Sequence, residues 1–169
     1  MRIAIVDDLD TERAQLKARL ARQLRLCGAE ADLLEFESGE SFLAAEKEQR
    51  FTAAFLDIYM HGMSGMDAAK ELRKTDADCL LVFTTTSTDH ALEGFQVRAL
   101  HYLVKPFSEE ELSALLEDGV LAAGLDKLYA ESGWLWAQCA AHRTLCAENF
   151  ARSMPDVPLK TIVNAPAHT

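Results

Sequence analysis

Phe51-Thr52-Ala53-Ala54-Phe55-Leu56-Asp57-Ile58-Tyr59-Met60-His61-Gly62-Met63-Ser64-Gly65 decides the reading of this chain. Its first six residues are nearly all apolar, the pattern of a strand covered on both faces of a parallel sheet. The run closes on an acid, Asp57, and a glycine-containing loop follows. Three other apolar runs end on similar chemistry. Ile3-Ala4-Ile5-Val6 stops at Asp7 and Asp8, Leu80-Leu81-Val82-Phe83 at Thr84 and Thr85, and Tyr102-Leu103-Val104 at Lys105-Pro106. In a parallel sheet, three carboxylates, a hydroxyl and an ammonium would meet at one edge. Clustered carboxylates repel one another unless a cation joins them or a proton is kept. Magnesium, a hard cation with oxygen ligands, suits such a set together with phosphate oxygens.

Helix patterns fill the gaps between strands. Leu16, Leu20 and Leu24 recur at spacing four, predicting a helix from about Asp10 to Cys27, stopped by Gly28. Ala31 to Phe36 reads as the second strand, and Ser38 caps a second helix to about Gln49. A third helix is expected over about Met66 to Lys74, and a short fourth over Asp89 to Val97. Ser108-Glu109-Glu110-Glu111 is a capping box opening a fifth, which runs to about Ala130 and is weakened by Gly119 and Gly124. Five strands alternating with five helices predict a doubly wound α/β sheet of order 2-1-3-4-5. Ligands of such sheets bind beyond the carboxyl ends of the strands, at the switch point between strands 1 and 3. Asp7, Asp8 and Asp57 fall there.

The 169 residues suffice for one domain and a short extension. The net charge of −10 lies in residues 1–130, where 14 Lys and Arg face 24 Asp and Glu; this acidic part is a poor nucleic-acid binder by itself. No membrane-spanning run or signal peptide is read, so a cytoplasmic protein with no membrane partner is expected. The four cysteines form no CxxC. Cys139, His142 and Cys146 share a helix face but lack a fourth metal ligand, so they read as small core residues.

The set Asp7-Asp8, Asp57, Thr85 and Lys105-Pro106, with Asp57-Ile58-Tyr59-Met60 and Gly62-Met63-Ser64-Gly65-Met66, resembles the receiver domain of two-component response regulators. The stretch Thr88 to Phe95, continued by Ala99-Leu100-His101-Tyr102-Leu103-Val104-Lys105-Pro106-Phe107, is similar to receivers of LytTR-type transcription regulators. The resemblance covers about residues 1–120 and implies a flavodoxin-like (CheY-like) fold. Residues 121–169 are then the end of the fifth helix plus a linker or truncated C-terminal extension.

The resemblance also implies roles. Asp57 is the phosphoacceptor, supplied by a sensor histidine kinase. Asp8 binds Mg2+ directly and Asp7 mainly through water, with Asp57 and the backbone carbonyl of Tyr59 completing the metal site. Lys105 pairs with the phosphoryl oxygens, and its bond to Pro106 is cis. Thr85 and Tyr102 form the switch, Tyr102 turning inward. The output face joins the fourth helix, fifth strand and fifth helix and serves partner binding or homodimerisation. DNA would be reached only through a C-terminal domain not evident here. Catalysis is limited to the chain's own phosphorylation and dephosphorylation.

Two residues depart from the pattern or colour it. His61 stands where proline is usual. Tyr59 is large and two residues past the acceptor, where it is expected to shield the acyl phosphate from water; an unchanged phosphoryl half-life in Tyr59→Asn would remove that expectation. The basic row Arg13, Lys17, Arg19, Arg22 and Arg25 on the first helix is either a solvated face or a kinase-docking one. In the tail, residues 134–152 read as a helix and Val157 to Val163 as a strand. A truncated regulator, a single-domain receiver with its own extension, and a frameshift after about residue 130 all fit. An aspartyl-phosphate hydrolase wants a second acid where Tyr59 stands. A flavin site wants a hydroxyl- and glycine-rich loop where Asp7-Asp8-Leu9-Asp10 stands.

Overall fold

The computed structural model describes residues 1–87 and 96–121. The helix expected over 89–97 falls mostly outside these residues. The expectations for 122–169, including the Cys139-His142-Cys146 face and the helix and strand of the tail, fall entirely outside them. The elements run β1 (Arg2–Val6), α1 (Asp10–Leu26), β2 (Asp32–Phe36), α2 (Gly39–Glu48), β3 (Ala53–Asp57), α3 (Gly65–Thr75), β4 (Leu80–Thr85), β5 (His101–Val104) and α4 (Glu109–Leu115), the last being the fifth helix of the sequence reading. All strand pairs are parallel, and the order is β2-β1-β3-β4-β5, as the alternation predicted.

The all-apolar strands serve two cores. In β3, Ala54 and Leu56 join Phe42, Phe51, Met66 and Leu72 on one side of the sheet. Ala53 and Phe55 join Leu16, Leu20, Leu24, Leu112 and Leu115 on the other. Strand β1 divides likewise, Ala4 and Val6 to the first core, Ile3 and Ile5 to the second. Removing one such large side chain from water contributes roughly 1.5–3 kcal/mol, so the central strands contribute strongly to holding the sheet together.

The helix starts follow local chemistry. Ser38 caps α2 by accepting from the Ser41 amide, and Ser64 caps α3 by accepting from the Asp67 amide. At α4, Ser108 accepts from the Glu111 amide while Glu111 accepts from the Ser108 amide, the reciprocal pair predicted from sequence. The long fifth α-helix of the sequence reading is different in the structure. It is α-helical to Leu115 and becomes a π-helix over Leu116–Leu121. Gly119 lies there against Leu100, where a Cβ would come within 2.9 Å of Leu100 Cδ2. Close packing, rather than helix propensity, accounts for that glycine.

At the opposite end of the sheet from the strand carboxyl ends, Glu46 is only 4% exposed. Its Oε2 accepts from the Phe51 amide at 3.1 Å, while Oε1 has no hydrogen-bond partner among the described residues. Arg50 Nη1 lies 3.0 Å from Asp76 Oδ2 and 3.8 Å from Glu46 Oε1. Burial first, and then the Asp76 carboxylate, push Glu46 up to about 7. A carboxyl raised in the folded state stabilises most below its unfolded value and loses that contribution as pH rises through the folded one. Stability should therefore fall between about pH 5 and pH 8. Glu46→Gln should remove that part of the slope, measured as urea midpoints across the range. An unchanged slope would show that Glu46 does not titrate there.

Candidate phosphoacceptor and metal site

Parallel strands present their carboxyl ends to one edge, and the predicted site residues gather at it. Asp57 is the last residue of β3, in register with Thr84 of β4. Asp7 and Asp8 follow β1, Thr85 ends β4, and Lys105 follows β5. One carboxylate oxygen from each of Asp7, Asp8 and Asp57 lies within 4.8 Å of the others. Lys105 Nζ donates to Asp7 Oδ2 at 2.8 Å and stands 3.3 Å from Asp57 Oδ1 and 3.6 Å from Glu12 Oε2.

The three clustered carboxylates, with Glu12 nearby, outweigh the one ammonium, an excess that a divalent cation would offset. The donors are all oxygens of the kind magnesium prefers, so the residues fit that ion. Both Asp7 oxygens already accept hydrogen bonds, Oδ1 from the Leu9 amide at 2.9 Å and Oδ2 from Lys105. Burial pushes Asp57 up; Lys105 pulls it back, but Asp7 and Asp8 push again, and it settles at about 6. Asp8 moves the other way. Burial would raise it, yet hydrogen bonds from the His61 amide and ring hold it below the usual carboxylate range. For Lys105, burial opposes the charged form, but Asp7 and Asp57 prevail and raise it.

The loop after Asp57 turns back closely. Gly62 has φ +79°, which suits glycine. The Gly65 amide donates to Ile58 O at 3.1 Å, and a Cβ on Gly65 would stand 2.0 Å from Asp57 O. Tyr59 is 46% exposed. Thr85 is buried, and its hydroxyl accepts from the Ser87 amide at 3.3 Å. Tyr102 is packed inward beside Phe83, ring centroids 6.0 Å apart, with its hydroxyl donating to Ser87 O at 3.0 Å. The Lys105-Pro106 bond is cis.

The basic row of α1 is largely engaged within the molecule. Arg13 donates to Asp7 O and pairs with Asp10, and Lys17 pairs with Glu35. Arg19 pairs with Glu109, donates to Phe107 O and Ser108 O, and lies 4.4 Å over the Phe107 ring. Two contacts at the site escaped the sequence reading. Glu12 approaches Lys105, and its place in the first turn after Asp8 was the available signal. His61 meets Asp8 through both its amide, at 2.9 Å, and its ring Nδ1, at 2.5 Å. Only its nearness to Asp57 in sequence hinted at that.

The sequence and the fold are similar to those of known proteins. The family model described as "Response regulator receiver domain" matches residues 3–117. The sensory transduction protein LytT of Bacillus subtilis is 36% identical over 117 residues, 69% of this chain and 47% of that protein. The positive alginate biosynthesis regulatory protein of Pseudomonas aeruginosa is also 36% identical over 117 residues, 69% of this chain and 46% of that protein. The matched stretch thus spans about half the length of these curated relatives. Among solved structures, response regulator TrrA of Thermotoga maritima in complex with Mg2+-BeF superposes with a TM-score of 0.59 and 29% identity, covering 69% of this chain and 96% of that one. The response regulatory domain of mrkE from Klebsiella pneumoniae has a TM-score of 0.67 at 23% identity, covering 74% and 99%, and shows the shared fold. With its strand order, its rim of acids and its family match in agreement, this chain belongs to the response regulator receiver domain family, with LytT-type regulators among its relatives.

Proposed function

We infer that Asp57 accepts a phosphoryl group from the histidine of a sensor kinase. One observation carries this reading: Lys105 Nζ sits between Asp7 and Asp57 at the rim where the three carboxylates converge. Phosphoryl transfer needs an in-line nucleophile and charge neutralisation more than covalent help. An Asp57 carboxylate oxygen forms the new bond to phosphorus while the bond to the kinase imidazole nitrogen breaks. Asp8, Asp57 and the Tyr59 carbonyl would hold Mg2+, with Asp7 reaching it through water because its own oxygens are engaged. When bound, Mg2+ supplies the positive charge that offsets the phosphoryl oxygens. Lys105 adds the second positive group, as a point charge. The Thr85 hydroxyl would donate to a phosphoryl oxygen.

The added charge and acceptor oxygens bias the Thr85 and Tyr102 region between two arrangements. Tyr102 already fills the inward position. The face around β5 and α4 is the proposed surface for a partner or a second copy. The transcriptional output of a LytTR-type DNA-binding domain outside residues 1–120 fits the LytT relatives, and a stand-alone receiver acting by protein contact is the second reading. We place the chain in the cytoplasm; no described helix is long and apolar enough to cross a membrane. The family is one of signalling modules rather than of enzymes that turn over a separate substrate.

The test is incubation with Mg2+ and a small phosphodonor, read by intact mass. The expected result is a gain of one phosphoryl group, absent in Asp57→Ala. Sustained phosphate release at enzymatic rates would favour a phosphohydrolase instead.

A further inference from the structure

Lys105 carries its charge at the end of a long flexible stem, so the reach of Nζ depends on where its backbone is held. On one side the sheet holds it: the Lys105 amide donates to Thr85 O at 2.7 Å. On the other side the chain leaves the sheet after Val104, and α4 starts only at Glu109. Arg19 of α1 secures that gap. Its Nη2 donates to Phe107 O at 3.0 Å and to Ser108 O at 2.9 Å, and its Nε pairs with Glu109 Oε1. The guanidinium also lies 4.4 Å over the Phe107 ring, which packs against the core that holds Leu16 and Leu20 of the same helix. Gln23, one turn further along α1 and buried, donates to Glu109 Oε2 at 2.7 Å. The same helix reaches the other partner of the lysine, because Arg13 Nη1 donates to Asp7 O at 2.6 Å. Helix α1 thus grips the backbone beside both members of the Lys105–Asp7 pair.

We propose that Arg19 is a positioning residue for phosphoryl transfer: by clamping Phe107, Ser108 and Glu109 to α1, it fixes the backbone from which Lys105 reaches Asp7 and Asp57. The proposal rests on the reading of Asp57 as the phosphoacceptor. A guanidinium suits the task, since its rigid fork of donors spans several acceptors and its face stacks on an aromatic ring. An exposed ion pair alone would contribute little. Here two of the bonds go to main-chain carbonyls, so they constrain the path of the chain rather than merely pair charges. The contacts of Arg19 are with residues 107–109 and not with the carboxylates, so its effect passes through Lys105. With the clamp gone, the ammonium would no longer be held ready where the transferred group arrives, and preorganised charge is what such a site supplies.

The readout is the initial rate of phosphoryl uptake by the full chain from acetyl phosphate with saturating Mg2+, followed by intact mass. Arg19→Ala, at a temperature where circular dichroism shows it folded, should slow uptake about tenfold. Arg19→Lys keeps the charge and the stem but cannot span both carbonyls and Glu109, so its rate should lie between that of Arg19→Ala and the wild type. The decisive comparison is made in the Lys105→Ala background, where the group that Arg19 places is missing. There Arg19→Ala should slow uptake further by less than about twofold. Should Arg19→Ala fail to fold, Arg19→Lys carries the same comparison. A wild-type rate in a folded Arg19 variant overturns the proposal. So does a slowing that multiplies in full in the Lys105→Ala background, which would mark Arg19 as a general support of the fold; the phosphoacceptor reading stands in both cases. If the wild type shows no uptake that depends on Asp57, that reading falls and takes the role of Arg19 with it.

Discussion

Asp57→Asn is expected to accept no phosphoryl group and yet, in metal-free buffer at neutral pH, to resist unfolding better than the wild type. Asp57 is 6% exposed and shares the rim with Asp7 and Asp8. Burial and those neighbours raise it from 3.8 to about 6. A shift of that size corresponds to roughly 3 kcal/mol of penalty for the charged form. That figure already contains the pull of Lys105; asparagine removes the charge but leaves a polar amide buried at the rim, so a net gain of about 1–2 kcal/mol is expected. The sign follows from linkage. A carboxyl raised on folding contributes stability in full below its unfolded value and loses it as pH rises through the folded one. The advantage of Asp57→Asn should thus be near zero at about pH 4 and complete near pH 7. Saturating Mg2+ should narrow it by stabilising the folded wild type. Urea unfolding at several pH values, with and without Mg2+, reads all of this. A variant less stable than the wild type at pH 7 without metal would show that the charges at the rim are not in conflict.

Gly65→Ala should damage both fold and chemistry. Its Cβ would lie 2.0 Å from Asp57 O, 2.8 Å from Asp57 C and 3.2 Å from Ile58 Cα. All three are backbone atoms, and they belong to the acceptor and its neighbour, so no flexible side chain can swing aside. Relief requires moving the start of α3 or the end of β3. Overpacking of this kind costs about 1–3 kcal/mol, and a backbone clash this close belongs at or beyond the upper end. Displacing Asp57 should also slow phosphoryl uptake from a small donor at least about tenfold, because misplacement of a reacting group is costly. Denaturation midpoints and time-resolved intact mass test the two parts. Wild-type stability with a wild-type uptake rate would show that the close approach is not maintained in solution.

Much of the frame was legible because strand periodicity and chemistry coincide. β5, His101–Val104, contains the apolar run Tyr102-Leu103-Val104, and its successor Lys105 reaches Asp7 and Asp57, two of the three acids the strand pattern pointed to. Boundaries were less exact where apolar runs continue past the pairing. β3 was read from Phe51 to Leu56, but pairing spans Ala53 to Asp57, so the acceptor is part of the strand rather than of the loop. The remainder depends on contacts between residues far apart in sequence. Arg19 read as one cation in a solvated row, yet it folds back on Phe107, Ser108 and Glu109 about ninety positions away. Glu46 lies on a helix among other charged residues, and nothing local reveals that it is buried. His61 was noticed as a departure, but its bond to Asp8 spans 53 positions.

Asp57 stands at the end of a well-braced strand. Its strand is flanked on both sides and buried on both faces, and Gly65 closes off the turn just beyond it. A phosphoryl group placed on Asp57 as proposed would find little room beneath it and would press on its neighbours. One neighbour is the end of β4, where Thr85, Ser87 and Tyr102 are joined by hydrogen bonds. A braced seat beside a hydrogen-bonded chain would hand a local chemical event on toward β5.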